Sequence, residues 1–489
     1  MLFPDFKTFK EDFEKFDRIP VYREIVGDTF TPIALLRNFS SEENLFMLES
    51  ANLDKTFSRY SFFGFKPKEV LTFKNKKLVS LKNGKKTEID INPMDYLNEN
   101  IKSYKGKYYE NFGDFSGGYV GYIGYEMINY MGVLRQRIKE PNHENLMQLM
   151  LVDEFYLFDN YLGKMYSCVS VECKNNPEEA YEKAKKITLK MAERLHGLNF
   201  DNFETDEHFE IEKEYESGEF VETVKKIKKD IYDGEVIQCV FSNKYEINSR
   251  INPLSLYRTL RNLNPSPYMF YLKFGQEVVC GSSPEIHLKV KDKVATLKPI
   301  AGTYPVGKNL EEIKDNLLKD EKERAEHLML LDLARNDLYT CCKPETVKVD
   351  KSFVPEVYSH VIHIVSEVKG ELKEDASNIE LFMKTFPAGT VTGAPKVRAM
   401  ELIDKYEKSP RGFYAGCTGY FSYSGNMDTC ITIRSAKVTK DKTIFRAGAG
   451  IVHDSIPEKE FKEVEEKLKA LFKALERIKS MERYNVFTN

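Results

Sequence analysis

Short runs of aromatic and β-branched residues, each closed off by turn residues, recur along most of the chain, and they exclude an all-helical fold. Between residues 28 and 170 they include 33–39 (IALLRNF), 68–81 (KEVLTFKNKKLVSL), 117–125 (GGYVGYIGY) and 151–160 (LVDEFYLFDN). Such runs read as strands. Lys82-Asn83-Gly84-Lys85 has the composition of a hairpin turn. The stretch 174–212 is polar and helical, and it becomes acidic with little to bury around 201–216, so it is expected to be a linker. From 213 onward helices and strands alternate. Residues 221–234 (VETVKKIKKDIYDG) have helical spacing and end in Gly234, a good C-cap. Residues 236–247, 268–302, 412–425 and 427–452 read as strands, 310–338 as one long helix, and the last helix runs from Pro457 to about Lys479. The expected fold is α+β: largely antiparallel sheets packed as a sandwich with outer helices. The expected division is 1–173, a 174–212 linker, and 213–489.

A chain of 489 residues with 42% hydrophobic and 30% charged residues holds a sizeable core. The net charge is −3 and no basic stripe stands out, so nucleic acid is not an expected partner. The start, MLFPDFKTFKEDFEKF, lacks the apolar centre of a secretory signal, and no run of about 18 apolar residues exists for a membrane span. A cytoplasmic protein is expected. The eight cysteines form no CxxC pair and sit in apolar stretches, as reduced small hydrophobes do.

Two pairs of carboxylates stand out by position. On the helix holding KDEKERAEHLMLLDLARND, Glu323, Glu326, Leu330 and Leu333 share one face at about 100° per residue. Two glutamates thus continue an apolar stripe, although glutamate is seldom buried without a partner. Either a divalent cation gathers them, with an all-oxygen site favouring magnesium or calcium, or the helix end tilts outward and both are solvated. On the last helix Phe461, Val464, Leu468 and Leu471 form the buried stripe, with Glu460 and Glu463 on its flank. Glutamates in a first turn also suit the helix dipole without any metal.

Other segments bear chemistry less specifically. Pro284 in Gly281-Ser282-Ser283-Pro284-Glu285 forces an extended approach and could aim Glu285 into a cleft as a general acid; an ordinary turn with a solvated glutamate is the alternative. The small-residue loops 386–396 (FPAGTVTGAPK) and 447–450 (AGAG) can bind an anion through backbone N–H groups, and Arg434 at the end of MDTCITIR could pair with a carboxylate or lie on the surface. His363 lies within an apolar strand, where a satisfied core histidine is as natural as a catalyst. Neither a phosphate loop nor a dinucleotide fingerprint is present.

Taken together and in order, GEVIQCVFS, NPSPYMFYL, GSSPEIHL, PIAGTYPVG, KERAEHLMLLDLARNDL, HVIHIVSEVKGEL, FPAGTVTGAPK, GFYAGCTGYFSYSGNMDTCITIRS and AGAGIVHDSIPEKEFKEVEEK resemble the chorismate-utilising enzymes over nearly all of residues 20–475. That family includes the anthranilate, aminodeoxychorismate, isochorismate and salicylate synthases. The resemblance implies Mg²⁺ held mainly by Glu326 and Glu463, with Glu323 and Glu460 in support. It implies substrate contacts from Gly302, Thr303 and Thr390, and a grip on the enolpyruvyl carboxylate by Tyr414, Arg434 and the backbone of Gly448, Ala449 and Gly450. It implies Glu285 as the general acid for the departing ring hydroxyl and His363 in the later pyruvate elimination.

Within the family, the relatives that add water carry a lysine base where this chain has Gln238, which points to amination by ammonia. Ala301 in PIAGT stands where many aminodeoxychorismate synthases have an attacking lysine. Met47-Leu48-Glu49-Ser50 resembles an LLES element that binds feedback tryptophan, pairing with the segment that holds Pro267, Tyr268 and Met269. Region 1–173 is then regulatory and 213–489 catalytic. The implied activity converts chorismate and ammonia to anthranilate and pyruvate, with ammonia from a separate glutaminase subunit, because the chain carries no glutaminase signature, and with L-tryptophan as inhibitor. The alternatives are formation of aminodeoxychorismate and a non-catalytic tryptophan sensor. Tyr304 and Val464 depart from the family pattern, where Arg and Thr are frequent.

Overall fold

Turn chemistry fixes the strand register. In the computed structural model, Asn83 and Gly84 adopt φ of 51° and 75°, so the strands Lys77–Lys82 and Lys85–Ile89 close on a two-residue turn. Asn75 and Lys76, at φ of 50° and 62°, do the same between Glu69–Lys74 and Lys77–Lys82. The structure describes residues 1–25, 30–50, 59–174, 176–195, 210–249, 251–307, 309–357 and 361–483; the side chains of Thr303 and of 479–483 lie outside that description.

Among the described residues the strands form two antiparallel sheets, of thirteen and twelve strands. Each sheet is built from both halves of the chain. The first runs from Leu2–Phe3 through Arg18–Ile25 to Asn44–Glu49, passes to Tyr268–Phe274, and continues to Gln238–Ile247 and Ile211–Lys213. The second passes from the C-terminal half to the N-terminal half where Cys417–Ser422 pairs with Gly118–Ile123. The boundary expected at 173–213 therefore separates no independent layer.

Side-chain alternation sorts the core into layers. Phe46, Phe62, Phe155, Phe270 and Leu272 of the first sheet meet Val120, Tyr122, Met150 and Tyr420 of the second. Leu45, Met47 and Tyr271 point the other way, beneath the helices Ser217–Tyr232, Pro253–Leu263, Lys396–Tyr406 and Pro457–Arg483. The far face of the second sheet is covered by Pro93–Lys102, Glu321–Tyr339 and Asn378–Thr385. The result is a helix–sheet–sheet–helix sandwich, as expected.

Three local expectations change. Residues 33–38 belong to a helix, Pro32–Asn38, because Thr31 caps it by accepting from the Ala34 N–H at 3.1 Å and Pro32 occupies its first turn. The single helix expected over 310–338 is two, Leu310–Lys319 and Glu321–Tyr339. Asp320 is extended and its carboxylate accepts from the Lys322 and Glu323 N–H groups at 3.0 and 3.1 Å, so a strong N-cap interrupts the pattern. The start of the 174–212 segment is the helix Pro177–Glu193, whose Ala180, Tyr181 and Ala184 pack on Ile19, Val21 and Val169. The acidic stretch 201–209 lies outside the described residues.

Candidate functional site

The two glutamate-bearing helices lie in opposite outer layers, yet their first turns meet. Val464, Leu468, Leu471, Leu475 and Ile478 are at most 1% exposed. Each such side chain contributes about 1.5–3 kcal/mol on burial, enough to seat the Pro457–Arg483 helix firmly with Glu460 and Glu463 at its start. Leu331, Ala334 and Leu338 anchor the other helix on the second sheet, placing half-buried Glu323 and Glu326 at its start. Burial pushes the Glu326 carboxyl above its ordinary pKa, and the neighbouring charges of Glu323 and Glu463 add to the rise. Burial does the same to Glu460, with Ser455 opposing and Glu463 adding.

The four carboxylates thus share one field across the layers. Gln238 Nε2 donates to Glu326 Oε1 at 3.3 Å, and Lys467 Nζ draws Glu463 Oε1 to 2.7 Å. Among the described residues no three acidic, histidine or cysteine side chains are gathered tightly enough to ligate one ion. Glu323 and Glu463 raise the pKa of Glu326, and Glu463 that of Glu460; a hard divalent cation held by these all-oxygen donors would relieve that repulsion.

Glu285 follows the strand Glu277–Ser283 through Pro284 and is 9% exposed. Burial pushes its carboxyl up to about 7, while Thr390 and the charges of Lys467 and Arg434 hold it down. Arg434 sits in a left-handed turn at φ 52° and donates from Nη1 to the Lys467 carbonyl at 2.7 Å. Buried Tyr414 feels the Arg434 charge and lies under Gly448. Gly448 and Gly450 pair with Ser242 and Val240, and a Cβ on Gly450 would stand 2.6 Å from Gln238 Nε2, so only glycine leaves that amide in place. Ala449 turns its methyl into the helix-covered core and can offer only backbone to the cleft.

His363 lies on Val361–Glu371, and its Nδ1–H donates to the Gly302 carbonyl at 2.7 Å. Burial, with the Arg434 and Lys467 charges in support, keeps its pKa below the ordinary value. The imidazole is neutral, with Nε2 as its acceptor nitrogen. Gly302 has φ of 69° beside Glu323, which places this strand irregularity against the carboxylates. Thr303's backbone continues that strand.

Two groups were not singled out from the sequence. Lys467 donates to the Gly448 carbonyl at 2.8 Å, and its charge reaches Glu285, Glu326, His363 and Glu460. Its position four residues after Glu463 was the available signal. Arg411 donates to the Val391 carbonyl at 2.6 Å, beside Thr390, and to the Val240 carbonyl at 2.9 Å. Glu407 holds Arg411 and Arg446, and all three are buried.

The effector candidates lie at the junction of the two halves. Glu49 pairs with Met269 and Leu48 with Phe270. Glu49 is 5% exposed and accepts from Tyr257 Oη at 2.6 Å and Arg261 Nε at 2.7 Å. Met269 shares the helix-covered face with Tyr257, whereas Leu48 and Tyr268 face between the sheets, where Tyr268 Oη donates to Asp428 at 2.9 Å. Leu48, Glu49, Tyr268 and Met269 therefore straddle the strand junction rather than line a single face, with Ser50 and Pro267 directly beyond the ends of the two strands. Ser282 donates to Ser266 Oγ at 2.8 Å and, through its N–H, to the Arg434 carbonyl at 3.1 Å, tying this region to the cleft.

The sequence profile of the chorismate binding enzymes matches residues 44–473. A protein from Aquifex aeolicus (strain VF5) named anthranilate synthase component 1 is 41% identical over 95% of this chain and 96% of its own length. One of the same name from Acetivibrio thermocellus is 38% identical over 97% of this chain and 99% of its own. The crystal structure of anthranilate synthase component I from Streptococcus pneumoniae TIGR4 superposes with a TM-score of 0.76 at 32% identity, covering 92% of this chain and 99% of that one. With its profile match spanning strands of both sheets and both glutamate pairs, the chain belongs to the chorismate binding enzymes.

Proposed function

We propose that the chain is the large subunit of an anthranilate synthase, converting chorismate and ammonia to anthranilate and pyruvate. The observation that carries this reading is the Gln238 amide held against Glu326 in the cleft of a chain whose full-length relatives bear that name. An amide cannot deprotonate water, whereas ammonia is already a nucleophile. Ala301, buried in its strand, offers no amine for a covalent route.

Glu323, Glu326, Glu460 and Glu463 would hold Mg²⁺, which supplies positive charge for the ring carboxylate of the substrate. Arg434 and Tyr414, with the backbone at Gly448–Gly450, grip the enolpyruvyl carboxylate. Glu285, whose carboxyl burial pushes up to about 7, stays partly protonated at neutral pH and gives that proton to the departing ring hydroxyl. Neutral His363 then receives a ring proton at Nε2 as pyruvate leaves.

Ammonia is delivered by a separate glutaminase subunit, and tryptophan bound near Glu49 inhibits. The hydrogen bonds of Ser282 to both Ser266 and Arg434 support that coupling. The experiment is incubation of the pure chain with chorismate, Mg²⁺ and either ammonium or glutamine, with the product identified by mass. Anthranilate from ammonium alone is expected. An aminated product retaining its pyruvyl group would make this an aminodeoxychorismate synthase, and tryptophan binding without turnover would make it a sensor.

A further inference from the structure

A cavity of about 40 Å³ lies against Glu285 and Thr390. Since a water needs about 10–15 Å³ of such space, it accommodates about three or four. Arg434, Tyr414, Gln238, Glu326 and His363 contribute nothing to its walls, so it extends away from the carboxylate-binding part of the cleft. Ala334 of the Glu321–Tyr339 helix and Thr385 bound it, and Lys298 and Asp337 give it charged walls. Lys298 pairs with Glu356 at 2.9 Å, and Asp337 with Lys396 at 2.8 Å. Side-chain exposures of 14% for Lys298 and 28% for Glu356, and of 16% for Asp337 and 9% for Lys396, let solvent reach both pairs.

We propose that this cavity is the exit for the water produced when Glu285 protonates the departing ring hydroxyl. The inference rests on the acid role given to Glu285 above. In that step the ring C–O bond breaks and the Glu285 proton moves to the hydroxyl oxygen, forming one water and a carboxylate. The ammonia lone pair forms the new C–N bond, and a proton shed by the resulting ammonium balances the one spent by Glu285. One water must therefore leave a closed site for each amination, and none leaves in the elimination of pyruvate. A chamber with room for a few waters on the far side of the acid provides its path; its walls are largely apolar, and the hydroxyl of Thr385 and the heads of Lys298 and Asp337 offer hydrogen bonds along it.

Ala334→Leu fills the chamber without replacing any carboxylate. In the purified chain, turnover from chorismate with ammonium and Mg²⁺ should fall roughly tenfold, while conversion of the isolated aminated, pyruvyl-bearing intermediate to anthranilate stays within about twofold of wild type. Thr385→Val, which keeps the volume and removes a hydroxyl, should slow the same half-reaction alone and serves if Ala334→Leu does not fold. A folded variant with undiminished turnover from chorismate overturns the exit, as does equal loss in both half-reactions. Wild-type chain that aminates nothing overturns the exit and the acid role together.

Discussion

Replacing Glu407 by glutamine tests how far the cleft depends on charges buried behind it. The carboxylate accepts from Arg411 Nε and Nη2 at 3.0 and 2.7 Å, from Arg446 Nη1 at 2.9 Å, and from Ser242 N and Oγ at 3.0 and 2.7 Å. Both guanidinium groups are 1% exposed, so they have no water to turn to. Removing the charge of a buried ion-pair partner costs about 3–5 kcal/mol. At about 2.1 cal/mol/K per residue, a chain of 489 residues has a melting entropy near 1 kcal/mol/K, so Tm should fall by about 3–5 °C. Turnover should fall with it, because Arg411 also holds the Val391 carbonyl next to Thr390.

The pH dependence has a definite sign. Burial raises the Glu407 pKa, but Arg411 and Arg446 outweigh it and leave the folded value below the ordinary 4.5. The wild-type advantage is therefore present above pH 4.5 and lost as pH falls through the lower folded value. Calorimetry of Glu407→Gln, Arg411→Met and the double variant measures the coupling. A Tm loss under about 1 °C, or single losses that simply add, would refute the reasoning.

Mg²⁺ at about 100 times its Kd should stabilise wild type by about 2.7 kcal/mol, close to 3 °C by the same melting entropy, and Glu326→Gln should lose that shift while melting slightly higher than wild type without the ion. An unchanged Mg²⁺ shift in the variant would remove Glu326 from the metal site. Amination should decline as pH rises through about 7, where Glu285 deprotonates, and a rate independent of pH across that range would dismiss it as the acid. Because its folded pKa is raised, the stability Glu285 contributes is full below 4.5 and is lost as pH rises through about 7, so Glu285→Gln should gain on wild type at pH 8 in thermal melts. Ser50→Phe should abolish inhibition by tryptophan; as the chain contains no tryptophan, ligand fluorescence reads binding directly, and retained inhibition would move the effector site elsewhere.

Local signals were legible wherever one residue type has one physical use. Asn83-Gly84 closes its hairpin, Gly234 ends its helix at φ 83°, and the three-residue spacing of Glu323 with Glu326 and of Glu460 with Glu463 placed each pair on a helix flank. The Thr31-Pro32 start of a helix was overridden by the apolar run that follows it, and Asp320 was read as one more helical acid rather than a cap. What could not be read was anything set by partners distant in sequence. Arg411 finds Val240 and Val391 only once the layers assemble, and Lys467 on the last helix reaches Gly448 only once that helix folds back on its strand. Strand alternation also places Met269 and Tyr268 on opposite faces, which a list of adjacent residues conceals.

The interleaving of the two halves bears on biogenesis. While the nascent chain holds only the N-terminal half, Met47 lacks Tyr271 and Gly121 lacks Gly419, so both half-built sheets end in open apolar edges. The first edge closes only when Tyr268–Phe274 has left the ribosome and the second only when Cys417–Ser422 has, which postpones completion of the fold until synthesis is nearly over. Truncated transcripts should accordingly yield aggregates rather than a soluble regulatory fragment, and chaperones that shield strand edges should raise the yield of the intact chain.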